Sequence, residues 1–521
     1  MFIAKKIILF YLILFASTSC NEDQKDSVER DRINKYIKGN NELARVLDHY
    51  KEPRDSLKLR AAYFLIDNMR FHQYSDISIY DSAFSLIKDI SNSESVTKKA
   101  LLCAIVDSVN RSSGSITVIG IKSDLNEITA TLLIENIEYA FLAWQEPWAK
   151  KLQFQEFCEY LLPYKVPHDK PFSLRKRLYE RYMGLDNFHG QHSSLKNVCK
   201  SVHKDINTWF VMEMNSNSSF PYGVTGDNLF KAKIGFTCRD GANAVIYSMR
   251  SIGIAVVNDF VPNWANRSMG HEWTAVVYPD NKFIPFTFDP DAYPGMYKVA
   301  GLDSMFKNKC PKVYRRTFAV QKSSLPFQIK RDEEIPLFFN DVFFKDVTND
   351  YVSVSNIEIV CNELSWSNQH HLYLCVFDNQ NWQAVAWGNR KYNKILFKNV
   401  GRDVVYLPAW YIEGRYVPAA DPFLLTKDGI IHSYTVTSKV RSANLLRKYP
   451  IDESNTIKVG ERYELRYWNK GWISLGKIEA TTKMLRFSNV PSNSLLLLHN
   501  LDRGKQERIF SLAEDGRQIW W

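Results

Sequence analysis

Gly235-Phe-Thr-Cys238-Arg-Asp-Gly241-Ala-Asn-Ala244 is the stretch on which the reading of this 521-residue chain turns. It leads into Ala242, Val245, Ile246, Met249 and Ile252, apolar residues three and four apart, which form one face of a helix. Gly253 can end that helix in a left-handed cap. Thr237, followed three residues later by Asp240, is a capping-box variant, and it makes Cys238 the first helical residue. A thiol at that position meets the positive end of the helix dipole and free backbone N–H groups, both of which favour thiolate. The same N–H groups can steady a developing oxyanion.

Downstream, Ile254 to Phe260 reads as a strand and Val261 to Gly270 as a loop. His271 opens the run Trp273 to Tyr278. Pro279 to Lys282 is a turn, and Phe283 to Phe288 is a second strand ending at Asp289. If that turn closes a hairpin, His271 faces the residue beside Asp289 at the open end. A carboxylate there holds the imidazole tautomer and stabilises its cation, while the other ring nitrogen serves the thiol. Asp291 is the fallback for the third role, because the hairpin register can slip by a residue or two.

A Cys at a helix start, a His at a strand start and an Asp at the end of the next strand resembles the transglutaminase-like superfamily. The resemblance rests on Cys238-Arg-Asp-Gly-Ala-Asn-Ala244, Arg250-Ser-Ile-Gly-Ile254, His271-Glu-Trp-Thr274 and Phe288-Asp289-Pro290, and it covers roughly 100 residues. It implies a papain-type triad with Cys238 as nucleophile, His271 as general base and acid, and Asp289 as orienting carboxylate. Asn263, Trp264 and Arg267, in the loop before His271, are candidate substrate-binding residues; Asn266 shares that loop. The family often draws a second oxyanion donor from upstream, for which Trp144, Gln145 and Gln155 are candidates. Trp144 and Gln155 fit a helical core equally well.

At the N-terminus, Lys5 and Lys6 precede the apolar run Ile7 to Ala16, and small residues lead to Cys20. This resembles a bacterial lipobox, with Ser17 in place of the usual Leu, and implies lipidation at Cys20. Asn21-Glu22-Asp23 resembles the export tether of Bacteroidetes surface lipoproteins, and the regions flanking the core resemble those of such proteins. The expectation is an exported lipoprotein of the outer membrane, on the cell surface. No second apolar run reaches the length of a membrane span.

Net charge is +10, and the cluster Arg175-Lys176-Arg177 reads as a solvated helix face; no nucleic-acid motif is present. None of the eight cysteines lies in a CxxC pair, and His192, His203, His370 and His371 lack ligand spacing, so neither metal nor cofactor is expected. No acidic calcium loop appears. Cys103 and Cys158 sit in apolar helical patterns and read as small core residues.

Residues 30 to 200 carry helical patterns, among them Leu57–Met69, Ser82–Ile90, Val96–Val109 and Ile128–Trp144, the last with Asp124 or Asn126 as cap. Beyond about 340 the pattern is strand-like and repeats at an offset of 90 residues. Tyr373, Phe377 and Trp382 recur as Tyr463, Tyr467 and Trp472. Phe397-Lys-Asn-Val400 recurs as Phe487-Ser-Asn-Val490, and Val405 and Leu407 recur as Leu495 and Leu497. The repeated aromatics read as core. Trp387, Trp520 and Trp521, which lack partners in the repeat, read as candidates for an exposed, sugar-stacking surface.

The whole reads as a multidomain α+β protein. A signal peptide (1–20) and tether (21–29) precede a helical domain (30–200) and a transglutaminase-like core (201–340), in which a helix packs on an antiparallel sheet. Two β-sandwich modules (341–445 and 446–521) follow, related by the repeat. The resemblance implies attack of Cys238 on an amide of a peptide, glycopeptide or protein, with hydrolysis favoured over cross-linking. The alternatives are a catalytically inactive surface module binding glycans or peptides, and a structural partner in an uptake assembly.

Overall fold

The computed structural model describes residues 31–35, 37–76, 120–183, 194–212, 226–278, 282–288, 292–297, 308–329, 333–360, 369–378, 381–447, 456–503 and 508–521. The leader with Cys20, the tether, the expected helices over 82–90 and 96–109, Cys103, Asp289 and Asp291 lie outside these residues. What is described is a multidomain α+β protein of helices and mostly antiparallel sheets. It divides into two compact units. One comprises Met1–Val256, Val276–Phe283 and Phe288–Tyr293; the other comprises Val257–Ala275, Ile284–Thr287 and Pro294–Trp521.

The first unit is built from helices Asn41–His49, Ser56–Met69, Asp124–Glu127, Ala130–Trp144, Phe154–Tyr160, Arg175–Met183, Leu195–Trp209, Asp227–Ala232 and Cys238–Ser251. Strands β1 (Gln73–Asp76) and β2 (Gly120–Ser123) pair antiparallel, and β3 (Val211–Met212) pairs parallel with β4 (Ile234–Gly235). Leu65, Leu133, Ile137, Cys158, Val245 and Met249 are among its buried side chains.

Polar side chains join the helices. Arg175 turns inward, donating to Asn136 Oδ1 and to the carbonyls of Leu161, Pro163 and Arg250, while Lys176 and Arg177 are exposed as a solvated face requires. The cap of the Ala130–Trp144 helix is Thr129, which accepts from Leu132 N, and neither Asp124 nor Asn126. Asp124 is fully buried, taking Lys165 Nζ at 2.8 Å and the Tyr164 hydroxyl at 2.8 Å. Its carboxylate answers a buried ammonium, which outweighs a cap exposed to water.

Strands β5 (Val256–Val261), β6 (His271–Tyr278), β7 (Lys282–Phe286), β8 (Tyr314–Arg316) and β9 (Phe344–Asp346) form one sheet of order β7-β6-β5-β8-β9. β7 ends at Phe286, two residues short of the expected Phe288.

A larger sheet holds β10 (Val354–Val360), β11 (His371–Asp378), β12 (Asn381–Lys391), β13 (Lys394–Gly401), β14 (Val404–Ile412), β15 (Arg415–Pro418), β16 (Phe423–Leu425) and β17 (Ile431–Ser433). Then come β18 (Val440–Leu445), β19 (Arg462–Trp468), β20 (Trp472–Glu479), β21 (Leu485–Pro491), β22 (Leu496–Asn500), β23 (Ile509–Leu512) and β24 (Gln518–Trp520).

β10 pairs with β13 as β18 pairs with β21. Ser355 faces Val400 and Ile357 faces Phe397 across a bulge; Arg441 faces Val490 and Ala443 faces Phe487 across another. Asn399 and Asn489 supply the positive φ inside these bulges, +49° and +58°, which asparagine tolerates better than most residues. The Phe-x-Asn-Val text is therefore a bulge signature.

On the next pair the expected alignment is one residue out. The bulge at Val385 of β12, opposite Leu374 and Cys375, has its counterpart at Leu475 of β20, opposite Leu465 and Arg466, so Leu372, not Tyr373, occupies the place of Tyr463. The consequence is visible in the packing. Tyr373 and Phe377 lie in a core with Trp382, Trp468 and Trp521, whereas Tyr463 packs with Leu465, Phe487 and Phe510. The Trp520 and Trp521 rings are likewise committed inward. Trp521 is buried and donates from Nε1 to Ser511 Oγ at 3.0 Å, and Trp520 packs on Phe510.

Asp169 yields a pH signature for the first unit. Its buried carboxyl receives the Tyr247 hydroxyl at 2.8 Å and the Lys170 and Gly226 N–H groups, yet burial pushes its pKa from 3.8 up to about 6. The folded state then holds the proton more tightly than the unfolded chain. Stability is full below about pH 4 and falls as pH rises through about 6, by roughly 2–3 kcal/mol. Denaturant titrations across this range are expected to show that slope in the wild type and not in Asp169→Asn.

Candidate functional site

Cys238 belongs to the first unit and opens the helix Cys238–Ser251. Thr237 Oγ1 accepts from Asp240 N at 3.3 Å, and Asp240 Oδ2 accepts from the N–H groups of Thr237 at 3.0 Å and Phe236 at 2.8 Å. The capping box expected from the sequence is thus present, extended by one donor. Bare backbone flanks the thiol on both sides. A Cβ on Gly235 would lie 2.7 Å from Asp240 Cβ, and one on Gly241 would lie 2.9 Å from Phe288 Cβ. At the far end Gly253 has φ +85°, and a Cβ there would sit 2.2 Å from the Ala143 carbonyl oxygen. These glycines let the helix sit against its neighbours at backbone distance.

Phe288, the residue before Asp289, packs its ring on Phe210 and His203 at 5.3 Å each. It therefore stands beside Gly241, within one turn of Cys238. Among the described free cysteines, Cys158, Cys199, Cys310 and Cys375 are buried, and burial pushes each of their thiols up. Cys238 alone of this set is partly exposed.

His271 belongs to the second unit, at the first position of β6. Its ring lies 6.5 Å from that of Trp264, 6.0 Å from Trp273 and 5.9 Å from Tyr297, an aromatic wall on several sides. Residues two apart on a strand share a face, so His271 and Trp273 project together. Trp273 is 1% exposed; its Nε1 donates to the Tyr351 hydroxyl at 3.3 Å, which in turn donates to Asp259 Oδ2. Asp259 takes a bidentate pair from Arg315 at 2.8 Å and 2.8 Å, both side chains being buried. The two residues are also direct cross-strand partners on β5 and β8. A buried ion pair, a phenol and an indole thus stand in series behind His271.

The loop before His271 is held as firmly. Gly270 admits no side chain, since a Cβ would come 2.2 Å from the Val261 carbonyl oxygen. Asn266 Oδ1 accepts from Lys309 N at 2.8 Å, and the fully buried Arg508 donates to the carbonyls of Ala265, Phe377 and Trp521. Of the candidate binding residues, Trp264 is 3% exposed and packs with Val261, Trp273 and Cys310. It stands beside the His271 ring, and little of its own ring is open to a ligand. Arg267 is exposed and reaches Asn308 Oδ1 at 3.4 Å; Asn263 is half-buried.

The upstream candidates for an oxyanion donor serve the helical core or its surface. Trp144 donates its indole N–H to the Leu152 carbonyl and stacks on Phe157, Gln145 caps its helix, and Gln155 is exposed. No group of three or more metal-ligating side chains occurs among the described residues. The Asp259–Arg315 series behind His271 is not legible in the sequence, because nothing there marks two residues 56 apart as partners.

No family model matches the sequence, and no curated protein matches it. Among solved structures, that of red sea bream transglutaminase is similar at 9% sequence identity and a TM-score of 0.20, covering 63% of this chain and 70% of that one. A likeness of that size is too small to assign fold or chemistry.

Two substitution series follow from the geometry. Thr237→Ala is expected to lower stability by about 1 kcal/mol and Thr237→Ser to restore it. Asp240→Ala, which strands two N–H groups, should cost about 1–3 kcal/mol. Asp259→Asn leaves Arg315 as an uncompensated buried charge and is expected to cost about 3–5 kcal/mol, read as a fall in denaturation midpoint.

Proposed function

We propose that this chain is a cysteine-nucleophile enzyme of transglutaminase-like type, in which Cys238 attacks an amide carbonyl of a peptide or glycopeptide. The observation that carries the reading is the setting of Cys238. It is the partly exposed member of an otherwise buried set of described free cysteines, and it stands at the first residue of a doubly capped helix. Helix-start N–H groups and the dipole stabilise a thiolate and then the oxyanion formed on the carbonyl.

In this reading His271 takes the thiol proton and returns it to the leaving amine, and Asp289 orients the imidazole. The C–N bond breaks, a thioester forms on Sγ, and water resolves it in preference to an amine. Trp264, Trp273 and Tyr297 around the ring of His271 support the assignment, because a walled imidazole keeps its orientation. We further propose export as a lipoprotein through Cys20, with the outer membrane as its place. The two strand groups that share pairing and bulges are proposed to be copies of one β-sandwich module.

Labelling with a thiol-directed probe at neutral pH tests the proposal. Wild type is expected to react at one site, mapped to Cys238, and Cys238→Ala to lose that reaction. His271→Ala should slow labelling by about 10²-fold or more. Equal labelling of several cysteines, or a His271→Ala rate equal to wild type, would sink the reading.

A further inference from the structure

The second unit contains a cavity of about 440 Å³ whose lining includes neither Cys238 nor His271. Its lining includes Ser324, Phe339, Asp346, Trp387, Asn389 and Lys398. The volume falls within the range of small-ligand sites. Trp387 is half-buried on β12 and held edge-on by the His371 ring at 5.6 Å, with His371 fixed in turn by Glu333 at 2.7 Å. The indole is therefore a braced platform.

Around it stand polar groups of two kinds. At the base, Lys312 is consumed by Asp346 and by the carbonyls of Lys398 and Asn399, and the other Asp346 oxygen by Thr348. This pair is structural and neutral overall. At the walls, the Asn389 amide and the Lys398 ammonium are exposed, and Ser324 Oγ is a buried hydroxyl with no hydrogen-bond partner within the protein. A hydrocarbon ligand would leave that hydroxyl unsatisfied at a cost of about 1–3 kcal/mol. A sugar ring answers both the indole and the polar groups of the lining. Its C–H face stacks on an indole, and its hydroxyls both donate and accept. With Lys312 and Asp346 cancelling, Lys398 brings positive charge to the lining, which favours a ring bearing a carboxylate.

We propose that this cavity is a binding site for an acidic saccharide, with Trp387 as stacking platform, Ser324 and Asn389 as hydroxyl partners and Lys398 as the carboxylate contact. The site is independent of the chemistry assigned to Cys238.

Saturation-transfer NMR on the full chain, with glucuronic acid and glucose as probes, tests it. Saturable transfer to glucuronate ring protons is expected, with glucose weaker. Trp387→Ala should abolish transfer and Trp387→Phe should keep it, which separates loss of the platform from loss of fold. Lys398→Ala, at an exposed position, should weaken glucuronate about tenfold and leave glucose unchanged. Absence of saturable transfer with either sugar, or transfer undiminished in Trp387→Ala, overturns the site. Equal binding of both sugars, indifferent to Lys398→Ala, overturns the acidic class.

Discussion

The buried pair between Asp259 and Arg315 is the interaction on which the second unit's geometry hangs. Removing two charges from water costs several kcal/mol per ion, and their attraction does little more than offset that. The pair's value lies in what it forbids. The two residues face each other directly on β5 and β8. A slip of one residue would turn a guanidinium and a carboxylate toward opposite faces, each unanswered. Register is thereby fixed, and Tyr351 and Trp273 beside His271 take their positions from it.

In the first unit the corresponding constraint is local. The helix of Cys238 is begun by side chains three residues apart and bounded by glycines where the packing leaves no room for a Cβ. Both devices act through backbone groups. They set where the helix starts with a precision that hydrophobic burial alone lacks, and that start decides which residue meets the unsatisfied N–H groups.

This difference explains what was legible in the sequence. The Cys238 helix could be read because its cap, its apolar face and its terminating glycine all lie within 17 residues. The opening of β6 at His271 was readable for the same reason. What escaped depends on partners distant along the chain. Arg175 seemed part of a solvated basic face, yet it turns inward because four groups from other segments converge on it. Asp124 seemed a cap until Lys165 claimed it. Trp521 seemed a surface platform, although Ser511 and the neighbouring core enclose it. The 90-residue spacing read from the sequence holds between β12 and β20 but slips by one between β11 and β19, because one residue fewer separates the facing pair Trp468–Trp472 than the facing pair Phe377–Trp382.

The grip of Arg508 has a consequence in time. It gathers carbonyls from Ala265, Phe377 and Trp521, and the first of these lies 243 residues upstream. A chain emerging from the ribosome makes the loop that precedes His271 long before it makes the guanidinium that anchors it. On a truncated chain that loop lacks one of its fastenings, so the end of the sequence is needed to hold a loop made near its middle.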